Sequence, residues 1–230
     1  MLKAKKLFLQ TSYEPLPEVF EYLASQDGIR MEEREDLILF YPKISNGTGV
    51  IFYPGAKVVF SSYSLLIGPL ANAGYTVCLL RMPEDLANRG VNRPDEIFPL
   101  FPDLSHWFLG GHSLGGSTAA RYVSAHLSNR AICGLFLLGS YSIQDFSQTE
   151  LPMLLVYGGS DQIVKKERIF FYQDRFSQNT TLKEIVGGNH SFFGSYGNQT
   201  GDGQASIDRS RQQQETREIL LSFFHTVLSC

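Results

Sequence analysis

The stretch "WFLGGHSLGGSTAARYVSAHL", Trp107–Leu127, decides how this chain is read. A short apolar run ends in glycines, Ser113 stands between Gly111 and Gly115, and a segment that reads as a helix follows. With glycine and serine each near 7% of residues, a G-x-S-x-G pattern arises by chance in a chain this long with odds of roughly one in ten. Context raises the motif above chance. Where a buried strand turns sharply into a helix, the apex residue takes unusual backbone angles, and its neighbours must be small for the two elements to approach. Such a turn carries the Ser113 hydroxyl to the carboxyl edge of a sheet, where α/β proteins bind ligands. The helix N-terminus behind it offers free N–H groups and a positive dipole end, both suited to a developing oxyanion.

Working outward, short apolar runs recur along the chain. Strands are predicted at "DLILFYP" (36–42), "TGVIFYP" (48–54), "YTVCLLR" (75–81), "WFLGG" (107–111), "ICGLFLLG" (132–139), "MLLVYG" (153–158) and "LKEIVG" (182–187). Most are continuously apolar, as strands of a parallel sheet covered on both faces are. Helices are predicted between them. They are "SYSLLIGPLANAG" with Gly74 as C-cap, the segment after Ser113, "KKERIFFYQDRF" with Ile169, Phe170 and Phe176 on one side, and the last run. That last run places Ile219, Leu220, Phe223, Phe224 and Val227 on one stripe. A weaker helix, "EPLPEVFEYLAS", holds Pro17 in its first turn. Alternating strands and helices give a doubly wound, mostly parallel α/β sheet flanked by helices, in one domain over 1–230. Only about ten residues separate Ser140 from Leu151, which leaves no room for a cap domain.

The 230 residues are 43% hydrophobic and 19% charged, with a net charge of −3. That composition is globular and argues against a broad phosphate-binding surface, so nucleic acid is not an expected partner. Cys78, Cys133 and Cys230 form no CxxC and suit a reducing compartment. The N-terminal "MLKAKKLFLQTS" has too short an apolar core for a secretory signal, and no run reaches the ~20 residues of a membrane span. A cytoplasmic protein is the expectation.

A serine hydroxyl needs a base to take its proton. Of the five histidines, His126 and His225 fall in helices, His106 precedes a strand, and His112 adjoins Ser113 on a tight turn. His190, in "EIVGGNHSFFG", follows the last strand on a glycine-rich loop and is placed to reach Ser113. The imidazole in turn needs a carboxylate to hold its tautomer. Asp161, in "LLVYGGSDQIV", lies just past a buried strand, with an N-cap or turn role as the plain alternative and Asp145 as the second candidate acid. The order Ser113, Asp161, His190 is the Ser…Asp/Glu…His order. Two backbone donors should form an oxyanion hole: Leu114 N–H and, after the third strand, Ala56 N–H, with Gly55 letting the chain turn close to substrate. Lys57 reads either as an anion-binding group or as a solvated loop lysine.

With "FYPGAKV", "GGHSLGG", "VYGGSDQIV" and "GGNHSFFGSYG", the chain from about Asp36 onward resembles the α/β-hydrolase family. By size and the missing cap it is similar to the small carboxylesterase and dienelactone-hydrolase-like branch. It departs from dienelactone hydrolases in having Ser rather than Cys at the elbow, and it has Pro54-Gly55 where esterases commonly begin the oxyanion loop with His-Gly. The resemblance implies Ser113 as nucleophile, His190 as base and Asp161 as its partner. The expected substrate is a small carboxylic ester or thioester, with no cofactor. The alternatives are a non-catalytic ligand-binding protein on the same fold, or acyl transfer to an acceptor other than water.

The apolar-poor stretch 194–210 reads either as a loop over the pocket mouth, with His112, Phe192, Phe193 and Tyr196 lining the site, or as a solvated connection. Its "GDGQAS" lacks the alternating Asp/Asn run and the Glu of a calcium loop, so no metal is expected.

Overall fold

The computed structural model describes residues 11–25 and 29–229. The lysine-rich start and Cys230 lie outside them. Eight strands form one sheet: β1 (Arg30–Glu33), β2 (Leu37–Tyr41), β3 (Thr48–Tyr53), β4 (Thr76–Leu80), β5 (His106–His112), β6 (Ile132–Leu138), β7 (Met153–Gly158) and β8 (Thr180–Ile185). Their spatial order is β1-β2-β4-β3-β5-β6-β7-β8. β2 runs antiparallel to both β1 and β4, and every pairing from β4 through β3 to β8 is parallel.

The helices are α1 (Pro17–Ser25), α2 (Ser64–Ile67), α3 (Pro94–Ile97), α4 (Leu114–Ala125), α5 (Lys166–Phe171) and α6 (Arg209–Leu228). The central strands are apolar throughout because each face of the sheet is covered. Val50 and Phe52 of β3 face a core closed by Leu66 of α2 and by Leu220 and Phe224 of α6. Ile51 and Tyr53 face the opposite core, with Ala119, Ala120 and Val123 of α4. This two-residue alternation between two apolar layers is why these strands read as unbroken apolar runs.

Three features differ from the sequence reading. β1, "RMEE", went unseen because it is an exposed edge strand with no buried face to leave an apolar signature. The segment 60–73 is not one helix but a 3₁₀ turn, the short α2 and a second 3₁₀ turn. Pro69 lacks the N–H a continuous helix needs, and Gly68 packs so closely that a Cβ there would lie 2.6 Å from the Tyr22 hydroxyl. Gly74 does end the segment in the left-handed region, with φ 95°. Phe170 does not share the buried side of α5 with Ile169; it is exposed. Residues 139–152, between β6 and β7, hold no helix.

Candidate functional site

The turn between β5 and α4 is built as the spacing of its glycines predicts. Ser113 has φ 53° and ψ −120°, a conformation that costs a non-glycine residue about 1–3 kcal/mol. It is held there by its own N–H, which donates to Leu138 O at 3.0 Å, and by Ser140 Oγ, which donates to Ser113 O at 2.7 Å. A Cβ on Gly111 would lie 2.3 Å from Tyr53 O, and one on Gly115 would lie 2.1 Å from the same oxygen. At this turn the end of β3 and the start of α4 therefore meet backbone to backbone. Ser113 stays partly exposed at the carboxyl edge.

His190 and Asp161 meet beside it. His190 Nδ1 lies 2.7 Å from Asp161 Oδ2, and both side chains are about 1% exposed. The other carboxylate oxygen of Asp161 accepts N–H bonds from Ile163 at 2.8 Å and Val164 at 2.7 Å. The carboxylate is thereby fixed as an acceptor, and the His190 proton sits on Nδ1. His190 Nε2 is buried and has no partner among the described residues, so no hydrogen bond joins it to Ser113 Oγ. Asp145 takes no part: it is exposed, and hydrogen bonds from the Ser147 hydroxyl first and the Ser147 N–H second hold its carboxyl below the usual range.

The loop after β3, where an oxyanion donor is expected, divides its N–H groups. Gly55 N–H is used, donating to Tyr63 Oη at 3.1 Å. Ala56 N–H has no acceptor among the described residues, and Leu114, as the first residue of α4, has an N–H that its own helix cannot satisfy. Lys57 has φ 56°, and the residue is 9% exposed.

His112, Phe192 and Tyr196, read as lining a ligand, are placed differently from one another. His112 is buried, with Nδ1 2.8 Å from Tyr63 Oη and its ring 4.4 Å from that of His190. Because Tyr63 Oη already accepts from Gly55, it donates to His112 Nδ1, which leaves the imidazole proton on Nε2. Burial first, and the neighbouring His190 second, hold the His112 pKa well below its usual value. Tyr196 is a core residue, buried against Tyr63 and Tyr13. These two reach a ligand only through their neighbours, because the tight elbow turns His112 inward. Phe192 remains partly exposed under the guanidinium of Arg209, 4.6 Å from its ring centre.

The model of the "Alpha/beta hydrolase family" matches residues 49–215, the span that carries this turn, the Asp161 loop and the His190 loop. The chain belongs to the α/β-hydrolase family. Solved α/β-hydrolase structures share its fold. A metagenomic enzyme from sediments of the Mar Chica lagoon, Morocco, is 14% identical with a TM-score of 0.61, over 86% of this chain and 98% of that one. A predicted CIB-like hydrolase from Thermoplasma acidophilum is 13% identical with a TM-score of 0.62, over 84% and 99%. A monoacylglycerol lipase from Paleococcus ferrophilus is 15% identical with a TM-score of 0.61, again over 84% and 99%. No curated protein matches the chain by sequence. No helix among the described residues is long and apolar enough to cross a membrane.

On this α/β-hydrolase frame residues 197–208 hold no buried residue, as the reading of 194–210 as a solvated connection expects. Asp202 within them also ties down the His190 loop. Asp202 Oδ2 accepts from Ser191 N–H at 2.8 Å and Ser191 Oγ at 2.9 Å, while Oδ1 accepts from His190 N–H at 3.2 Å and Gln162 N–H at 3.4 Å. One carboxylate thus links the loops that carry His190 and Asp161. Gln212 of α6 holds the His190 loop alone: its Oε1 accepts Asn189 N–H at 3.0 Å and its Nε2 donates to Asn189 O at 2.8 Å. Sequence reading missed Tyr63, Asp202 and Gln212. The only signal available was a pair of glutamines and Thr216 on the α6 stripe, where apolar residues were expected.

Proposed function

We propose that this protein is a serine hydrolase that cleaves a small carboxylic ester or thioester through an acyl-enzyme. The observation that carries the reading is the buried Asp161–His190 pair at 2.7 Å, with a free Nε2, beside the strained and partly exposed Ser113. His190 Nε2 takes the Ser113 proton as Oγ attacks the carbonyl carbon, and Asp161 stabilises the imidazolium that forms. The N–H groups of Leu114 and Ala56 receive the oxyanion. His190 then returns the proton to the leaving alcohol or thiol, and a water, activated by the same nitrogen, releases the acid. No step calls for a cofactor. The free thiols of Cys78, buried, and Cys133, half-buried, fit a reducing, cytoplasmic setting.

The test is covalent labelling with a fluorophosphonate, read by intact mass and peptide mapping, beside Ser113→Ala and His190→Ala. A single adduct on Ser113, lost in both variants while folding is kept, is the expected result. A folded wild type that takes no adduct yet binds ligand saturably would move the reading to a binding protein on the same fold. A fully active Ser113→Ala would exclude Ser113 as nucleophile.

A further inference from the structure

Backbone strain gathers at one place in this molecule. Among the described residues, four that are not glycine have φ in the left-handed region: Lys57 at 56°, Glu84 at 57°, Asp85 at 53° and Ser113 at 53°. Such angles are costly for a residue with a side chain, and they persist only where the surrounding structure holds them. Ser113 is explained by the turn at whose apex it stands. The other three belong to two segments that meet, since Lys57 N–H donates to Asp85 O at 2.7 Å. The loop that carries Lys57 lies against the Ser113 turn. A Cβ on Gly115 would stand 2.4 Å from Pro54 O, and one on Gly55 would stand 3.0 Å from His112 Nδ1.

The contacts around this point bracket Ala56. On one side, Gly55 N–H is held by Tyr63 Oη at 3.1 Å. On the other, Lys57 is held through both of its backbone groups, because its carbonyl also accepts from Tyr13 N–H at 2.7 Å. The Tyr13 segment is tied in turn: Val59 N–H donates to Tyr13 O at 3.0 Å, and Ser12 Oγ donates to Asp85 Oδ2 at 2.5 Å. Within 55–57 only Ala56 has an N–H with no acceptor among the described residues. A donor whose two neighbours are fixed does not swing away from the atom it must meet, which is what a pre-organised oxyanion donor requires. Apart from Tyr63, the Ser12–Asp85 bond is the one link in this set made by side chains, so it is the one a substitution can remove.

We propose that Ser12 and Asp85 are positioning residues of the oxyanion hole. Their hydrogen bond holds Asp85 in its strained conformation, Asp85 O holds Lys57, and Lys57 fixes the Ala56 N–H that meets the substrate carbonyl oxygen. This rests on Ser113 as nucleophile and Ala56 as donor. Neither Ser12 nor Asp85 touches substrate. Their effect falls on the transition state, where the carbonyl oxygen gains charge and the donor has to be in place, and not on ground-state binding. An aspartate suits the position, because Asp and Asn accept the left-handed region more readily than other side chains do.

Ser12→Ala and Asp85→Ala each remove the bond, while Asp85→Asn keeps an acceptor and the tolerance of positive φ. Kinetics on 4-nitrophenyl acetate and on its thionoester, in which sulfur replaces the carbonyl oxygen, test the role, because sulfur accepts hydrogen bonds weakly. On the acetate, both alanine variants should lower kcat about tenfold or more, with KM within about twofold, as a misplaced catalytic group does. The thionoester should lose less, so that the ratio of the two rates falls, and Asp85→Asn should stay near the wild type. Hydrogen exchange read by mass spectrometry, independent of turnover, should quicken at 55–57 in both alanine variants. Ser12→Ala leaves the Asp85 residue itself unchanged and stands as the test should Asp85→Ala fold poorly. An equal loss on both esters, an Asn variant as slow as Ala, or an unchanged kcat in the alanine variants would overturn the proposal. If Ser113 takes a fluorophosphonate while the variants keep their kcat, the hydrolase reading stands and only the positioning role falls. A wild type with neither adduct nor turnover removes both, whatever the exchange shows.

Discussion

The imidazole that precedes Ser113 lies wholly inside the protein, hydrogen bonded to Tyr63 and with its ring 4.4 Å from that of His190. In the unfolded chain it titrates near pH 6.5, whereas burial and the neighbouring imidazole hold it neutral in the fold. Below pH 6.5 the unfolded chain therefore binds a proton that the folded one refuses. Stability is fully present above that pH and declines as pH falls, at up to about 1.4 kcal/mol per unit. Replacing His112 by Asn removes this contribution. Between pH 6.5 and 5.5, urea unfolding should show the wild type losing about 1 kcal/mol more than His112→Asn. Parallel losses in the two proteins would mean that His112 is protonated in the fold. The Tyr63 hydroxyl is the hinge of this arrangement: it takes the Gly55 N–H, so that the loop turns Ala56 N–H outward as the free donor.

At the scale of elements, the decisive contact is between β3 and α4. At the first turn of α4 it is made by backbone: Tyr53 O and Pro54 O press directly against Gly115. An added methyl at Gly115 would meet backbone on β3, which has no rotamer to yield. Gly115→Ala should cost about 1–3 kcal/mol, lowering Tm by several degrees, and should also displace Ser113. Gly47 supplies the control. It has φ 77° with nothing within 4 Å, so Gly47→Ala carries backbone strain alone and should leave the fluorophosphonate reactivity of Ser113 intact. If both variants label Ser113 at the wild-type rate, the close approach of β3 is not what shapes the turn.

At the scale of the molecule, segments far apart in the chain converge on one loop. Asp161 follows β7, His190 follows β8, Asp202 comes from the connection beyond it, and Gln212 comes from α6. The Asp202 carboxylate accepts from donors on both the Asp161 and His190 loops, and an amide offers one acceptor oxygen in place of two. Asp202→Asn is therefore expected to lower kcat at least tenfold with little change in KM, because it loosens the base without touching substrate. Stability should fall by about 1–3 kcal/mol as buried N–H groups lose their acceptor. A variant that loses stability but keeps kcat would mark Asp202 as structural only.

Much of this was legible before any coordinates. The elbow at Ser113 follows from glycine spacing between an apolar strand and a helix. The positions of Asp161 and His190 follow from lying just past the ends of two predicted strands, on loops where a base and its carboxylate can meet. Local sequence reports such features because strand burial and tight turns each leave a periodic or compositional mark. It ranked Asp161 ahead of Asp145 without excluding the latter, since both follow strands; the packing of β7 against β8 brings Asp161 to His190. Nor could it tell how far Lys57 is covered, see β1 at the edge, or find Tyr63, Asp202 and Gln212. Burial and hydrogen bonding between residues distant in the chain are properties of the assembled fold, and no local pattern encodes them.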